Sequence, residues 1–225
     1  MDIKFRCSQL DKLMTNGRGK SPTMGLTAKG LVSEVFIRNN FAREKVFSSK
    51  ETRKGIEQEE TSFDLVCDVT GKLWTKNEAN LVNDYITGTP DAFNDEIVID
   101  IKTAWDIFSF HNKTMADALK SYEWQLRGYM MLLNTDKAQI VYTLVNSTEA
   151  QILEAKKRLY YSYDCDEENP DYMRDSEMTE RLMKYDDIEP SKRIKAFEFE
   201  RDAEKEQMLI DRVEEARKYY KTLKL

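Results

Sequence analysis

The chain has 225 residues, 40% hydrophobic and 34% charged, with 8 Gly and 4 Pro, a composition that fits one compact, helix-rich soluble domain and excludes disordered or fibrous proteins. No apolar run is long enough for a membrane span or a secretory signal, so a cytoplasmic location with no membrane partner is expected. A single histidine, His111, and three scattered cysteines, Cys7, Cys67 and Cys165, argue against disulfide frameworks, zinc hydrolases and Ser-His-Asp schemes, leaving carboxylates to carry any hydrolysis.

The net charge of −6 is unevenly spread. Residues 1–54 hold twelve Lys+Arg against five Asp+Glu, a local +7 that leaves −13 for the remainder. A basic N-terminal part offers phosphate contacts, with Lys12, Arg18, Lys20, Lys29 and Arg38 as candidates; a solvated basic face is the plainer alternative.

The stretch Asn16-Gly17-Arg18-Gly19-Lys20-Ser21-Pro22 reads as turns and lacks the spacing of a Walker loop. A helix is predicted from Thr27 to Arg43, and a second begins near Gly55 and carries Glu57-Gln58-Glu59-Glu60. From Phe63 to Val69 apolar residues alternate as in a strand, closed by Thr70-Gly71-Lys72. Leu81 to Ile86 and Gly88-Thr89-Pro90 lead to Asp91-Ala92-Phe93, an Asn94-Asp95 turn, and the strand Glu96 to Lys102. Next come a helix over Met115–Leu133, a strand over Gln139–Val145 and a helix over 149–163. An acidic excursion fills 164–191, with one helix around Glu177 to Tyr185. A strand over Arg193–Glu200 and a helix capped by Asp202 and running to about Leu223 complete the chain. These elements describe an α/β (α+β) domain over 1–225: a mixed central sheet flanked by helices, with its core at about 20–150 and residues 192–225 packed on it.

Two-residue periodicity in Glu96–Lys102 sends Ile97, Ile99 and Ile101 to one face and Val98, Asp100 and Lys102 to the other. A two-residue turn at Asn94-Asp95 sets Asp91 against Val98, diagonally about 7 Å from Asp100. Two carboxylates and a lysine thus converge, and neither Asp100 nor Lys102 is expected to supply core packing. Adjacent like charges favour a cation, and all-oxygen ligation favours Mg2+ or Mn2+. Taken alone, the same residues also fit a hairpin with a weak exposed ion pair.

Pro90-Asp91 followed by Asp100-Ile101-Lys102 resembles the signature of the PD-(D/E)XK nuclease superfamily, which has a restriction-endonuclease-like core. Gln125-Leu126-Arg127-Gly128-Tyr129 is similar to the Gln-x-x-x-Tyr motif of its RecB-type and phage lambda-type recombination exonuclease branch. Gly55-Ile56-Glu57-Gln58-Glu59 is similar to the Gly-x-x-x-Glu of that branch, where the glutamate helps hold metal; Glu60 is the alternative. Further similarity lies in Thr27-Ala28-Lys29 and in Tyr142 to Asn146. The chain lacks the histidine that RecB-type members often place before the core, and the cysteines of iron–sulfur members.

The resemblance implies a Mg2+- or Mn2+-dependent deoxyribonuclease, an exonuclease at double-stranded ends in phage or mobile-element recombination. Its catalytic residues are Asp91, Asp100, Lys102, Glu59, Gln125 and Tyr129, and its metal ligands Asp91, Asp100, Glu59 and the Ile101 carbonyl. DNA is the implied partner, with a homo-oligomer and a single-strand annealing or recombination protein as further candidates, in a bacterial or phage-infected cell. A structure-selective or restriction-like endonuclease and a catalytically silent DNA-binding or assembly protein are the alternatives. Trp74, Trp105, Trp124, Phe108, Phe110 and Tyr122 flank the site in sequence, as stacking surfaces for bases or as core.

Overall fold

The computed structural model of the chain describes residues 3–18, 23–45, 50–164 and 166–225, without the side chains of residues 50 and 52. Lys20, the rest of the 19–22 turn and Cys165 therefore lie outside the described residues. In chain order the elements are β1 (Phe5–Arg6), a 3-10 turn (Cys7–Gln9), α1 (Leu10–Leu13), α2 (Leu26–Phe41), α3 (Lys50–Glu57) and α4 (Glu59–Thr70). Then come β2 (Leu81–Val82), β3 (Ile86–Gly88), β4 (Ala92–Phe93), β5 (Ile97–Thr103), α5 (Ile107–His111), α6 (Met115–Leu133) and β6 (Lys137–Thr143). α7 (Glu149–Ser162), α8 (Pro170–Arg181), a 3-10 turn (Pro190–Arg193), β7 (Ile194–Glu200) and α9 (Ala203–Tyr220) complete the order.

The main sheet runs β4-β5-β6-β7; β5 and β6 are parallel, and the two outer pairs are antiparallel. Parallel neighbours need a crossover, which α5 and α6 supply. One face buries Val98, Ala138, Ile140 and Tyr142 with Leu126, Tyr129 and Met130 of α6 and Leu209, Val213 and Ala216 of α9. The opposite face buries Ile99, Val141 and Ala92 under Val66 of α4, with Phe63 and Trp74 packed alongside. This is the expected mixed sheet between helices, and β7 and α9 complete it. A smaller sheet, β1-β3-β2, carries the chain toward Asp91.

Four sequence expectations are corrected. The helix predicted from near Gly55 through Glu60 starts at Lys50 and breaks at Gln58 (φ −111°, ψ 10°), so that Glu57 ends α3 and Glu59 opens α4. Residues 63–69 form part of a helix, not a strand: Ser62, Leu65 and Val66 are buried at helical spacing, and Gly71 closes α4 with φ 65°. The apolar alternation of Phe63, Leu65, Cys67 and Val69 fits both periods, and Gly71 as a helix stop was the deciding signal. The acidic excursion forms α8 at Pro170–Arg181 rather than Glu177–Tyr185, because Asn169 accepts from the Asp171 and Tyr172 amides and Pro170 starts the helix. The hairpin turn sits one residue later than expected, at Asp95-Glu96: Phe93 pairs with Val98, Ala92 with Ile99, and Asn94 N–H donates to Ile97 O at 3.0 Å. The resulting shift of two residues in the pairing preserves the faces but changes the neighbours.

Candidate active site

Continuing the β4–β5 register by one pair sets Asp91 directly opposite Asp100, closer than the diagonal expected from a turn at Asn94-Asp95. The Ile101 N–H donates to Asp91 Oδ2 at 2.5 Å, tying this carboxylate to β5 although it lies one residue before β4. Asp100 sits mid-strand and is only 2% exposed, so it is buried in the sheet, where the sequence led to the expectation that it would take no part in core packing. Its Oδ1 accepts from Gln125 Nε2 at 3.0 Å. Its Oδ2, shielded from solvent, meets Lys102 Nζ at 2.5 Å but makes no aligned hydrogen bond.

Gln125 and Tyr129 share a face of α6, as their i, i+4 spacing implies. Gln125 Nε2 also donates to the Tyr129 hydroxyl at 3.1 Å, and that hydroxyl donates to the Thr89 carbonyl at 3.4 Å. The network therefore leads from Asp100 back to the segment just before Asp91. Gly88 makes this closeness possible: a Cβ there would stand 2.7 Å from the Tyr129 ring and 2.8 Å from Cys7 Sγ.

The electrostatics follow from this crowding. Burial, with repulsion from Asp100, raises the Asp91 carboxyl to about 6, against the pull of Lys102 and the Ile101 amide. For Lys102 burial disfavours the ammonium, but Asp100 and Asp91 outweigh it and hold the amine above the ordinary lysine range. Burial and the Asp100 charge raise Tyr129 as well, keeping its hydroxyl a donor. Lys102 Nζ lies 5.7 Å from the centroid of the Tyr122 ring.

Glu59 occupies the first turn of α4 and lines the same cleft of about 540 Å³ as Asp91, Ile101 and Lys102; Glu60 does not. Glu59 is held by Lys76 Nζ at 3.0 Å and is half-exposed, so the structure brings it to the cleft but not onto the aspartates. Beneath it a chain of hydroxyls, Thr143 to Ser62 to Thr103, at 2.9 and 2.8 Å, fastens α4 to β5 and β6. Among the described residues no three His, Cys, Asp or Glu side chains converge in ligating geometry. The oxygen donors brought together are the carboxylates of Asp91 and Asp100. Two facing carboxylates, all hard oxygen donors with a single lysine between them, make this set fit a hard divalent cation.

Among the described residues, the basic N-terminal candidates Lys12, Arg18, Lys29 and Arg38 do not line this cleft. Lys12 and Arg38 border a separate depression with Glu34 and Glu44, Lys29 lies over the Tyr219 ring, and Arg18 is exposed. The cleft takes its cations instead from Lys76, Lys102 and Lys113. Tyr142 also lines it, paired in register with Lys102 across β5 and β6, a relation that no local motif reveals. His111 is an exposed helix-end residue whose carbonyl accepts from Lys195. Phe110 and Trp74 pack in the core regions, whereas Trp105 and Phe108 stand exposed.

No protein-family model and no curated relative matches the sequence. Among solved structures, a phage-related exonuclease from Haemophilus somnus 129PT matches with a TM-score of 0.79 and 28% identity, over 98% of this chain and 94% of its own. An alkaline exonuclease from Laribacter hongkongensis matches with a TM-score of 0.64 and 13% identity, over 97% of this chain and 88% of its own. Its complex with dAMP matches with a TM-score of 0.57 and 16% identity, over 96% and 85%. At these lower identities the likeness speaks for the fold.

Proposed function

We propose that this chain, which has the fold of the PD-(D/E)XK exonucleases, is a divalent-metal-dependent deoxyribonuclease that works from double-stranded DNA ends. The observation that carries the reading is Asp100, buried between Lys102 and Gln125 and facing Asp91, in a chain matched over 98% of its length by a phage-related exonuclease. We take all of residues 1–225 as one nuclease domain.

Asp91, Asp100 and the Ile101 carbonyl are the groups to hold Mg2+ or Mn2+, with Glu59 joining them once it leaves Lys76. A divalent cation bound there supplies Lewis acidity at the phosphate and lowers the pKa of bound water. Lys102, fixed in its charged form by the two aspartates, orients the attacking water and offsets charge growing on the phosphate oxygens. Gln125 fixes the carboxylate plane of Asp100, and Tyr129 fixes Gln125. Burial among these residues excludes competing solvent and strengthens each charge interaction.

The test is cleavage by the full chain on linear and covalently closed duplex DNA, with Mg2+, with Mn2+ and with chelator. Metal-dependent loss of the linear form alone is expected. Cutting of the closed circle would establish the endonuclease reading instead, and no cleavage under any of these conditions would establish the silent DNA-binding one. The recombination setting, a homo-oligomer and a single-strand annealing partner follow from the resemblance and belong to the same proposal. Sedimentation and co-purification test them. Among the described residues no helix is long and apolar enough to cross a membrane.

A further inference from the structure

We propose that Trp105 is a stacking platform for a nucleobase of the strand being cut, and that the small pocket behind it receives that base. Trp105 follows Lys102 by three residues and is 39% exposed. It lines the catalytic cleft together with Lys102, and it also lines a neighbouring pocket of about 250 Å³ with Ser147, Gln151, Arg53 and Arg158. The indole is thus a wall shared by two cavities.

The residue is held rather than loose. Its carbonyl accepts from Lys54 Nζ at 2.8 Å, and the same ammonium, on a side chain only 1% exposed, lies 5.9 Å from the indole centroid. On the N-terminal side, Ala104 N–H donates to Thr143 O at 2.8 Å; on the C-terminal side, Asp106 caps α5. A rigid ring loses little conformational freedom on stacking, which suits it to a flat partner.

The chemistry of the surroundings selects a nucleobase over another flat apolar group. Arg53 and Arg158 both engage Glu154, and Arg53 also approaches Glu57 at 3.7 Å; planar guanidinium groups stack on bases and meet phosphates. Three residues of extended chain span about 10 Å. At about 3.4 Å per stacked nucleotide this covers no more than about three nucleotides, so the base lies within three nucleotides of the phosphate beside Lys102.

This inference rests on the nuclease reading, and its test separates the two. The full chain with Mg2+ is given DNA ends intact or carrying one abasic residue at each of the three nucleotides flanking the cut. Trp105→Ala and Trp105→Leu should each lower kcat/KM by roughly tenfold or more through loss of the stacked base, while Trp105→Phe retains most of it. At one abasic position wild type should show a similar loss, and Trp105→Leu no further loss, since the partner is already gone. Tryptophan fluorescence should be quenched by a short single-stranded oligonucleotide in chelator, and this quenching should shrink in Trp105→Phe. Trp105→Leu keeps apolar bulk without a π face, so a matched melting temperature separates stacking from folding. A wild type that cuts DNA while Trp105→Leu cuts equally well, or additive losses from variant and abasic site, would overturn the platform alone. A wild type that neither binds nor cuts DNA would overturn both.

Discussion

Asp91→Asn should make the metal-free protein more stable at pH 8, although it removes a residue proposed to be catalytic. Burial and the facing Asp100 raise this carboxyl from its ordinary 3.8 to about 6. At about 1.4 kcal/mol for each tenfold change in proton affinity, the gap corresponds to about 3 kcal/mol. A carboxyl that holds its proton more tightly folded than unfolded stabilises the fold fully below about pH 4, and that contribution is lost as pH rises through about 6. At pH 8 with chelator the asparagine variant escapes this cost. For a chain of this size about 3 kcal/mol raises the melting temperature by about 6–12 °C. Below about pH 4, where Asp91 is protonated in wild type, the two proteins should melt together. Adding Mg2+ at pH 8 should raise the melting point of wild type far more than that of the variant. Paired thermal melts at both pH values provide the measurement. A variant melting at or below wild type at pH 8 in chelator would show that Lys102 attracts Asp91 more strongly than burial and Asp100 oppose it, and the electrostatic account of the site would fail.

Lys102→Met should lower cleavage by about 100-fold or more, the scale of removing one electrostatic stabiliser, measured on linear DNA with saturating Mg2+. It should also destabilise the chelated protein, since it strands the buried Asp100. With Lys102 itself 30% exposed, the loss should fall below the about 3–5 kcal/mol of a fully buried pair. Lys76→Ala should free Glu59 and tighten Mg2+ binding by isothermal titration, whereas Glu59→Gln should weaken it; an unchanged affinity in both would remove Glu59 from the ligand set. Gly88→Ala should cost about 1–3 kcal/mol by forcing its Cβ on the Tyr129 ring and Cys7, and should lower activity by displacing Tyr129 from Gln125, as read by urea melts and turnover.

The sequence alone determined the α/β pattern, the position of β5, the full extent of α6 and the residue types of the site. Those features are local: alternation places Asp100 beside Lys102 on one face, Thr114 and its capping partner Asp117 start α6, and helical spacing aligns Gln125 with Tyr129. Local pattern failed where two periods fitted the same residues, as at Phe63–Val69, and where turn position was the unknown, as at Asn94–Ile97. Tertiary structure alone decided that Asp91 faces Asp100 directly, because a register is settled by the hydrophobic faces of two strands together. It alone decided that Glu59 rests on Lys76, that Lys12, Arg18, Lys29 and Arg38 lie outside the cleft, and that Trp105 is left exposed there while Trp74 packs against the core. Each of those outcomes depends on strand register or on how the helices pack on the sheet, which a short run of sequence does not set.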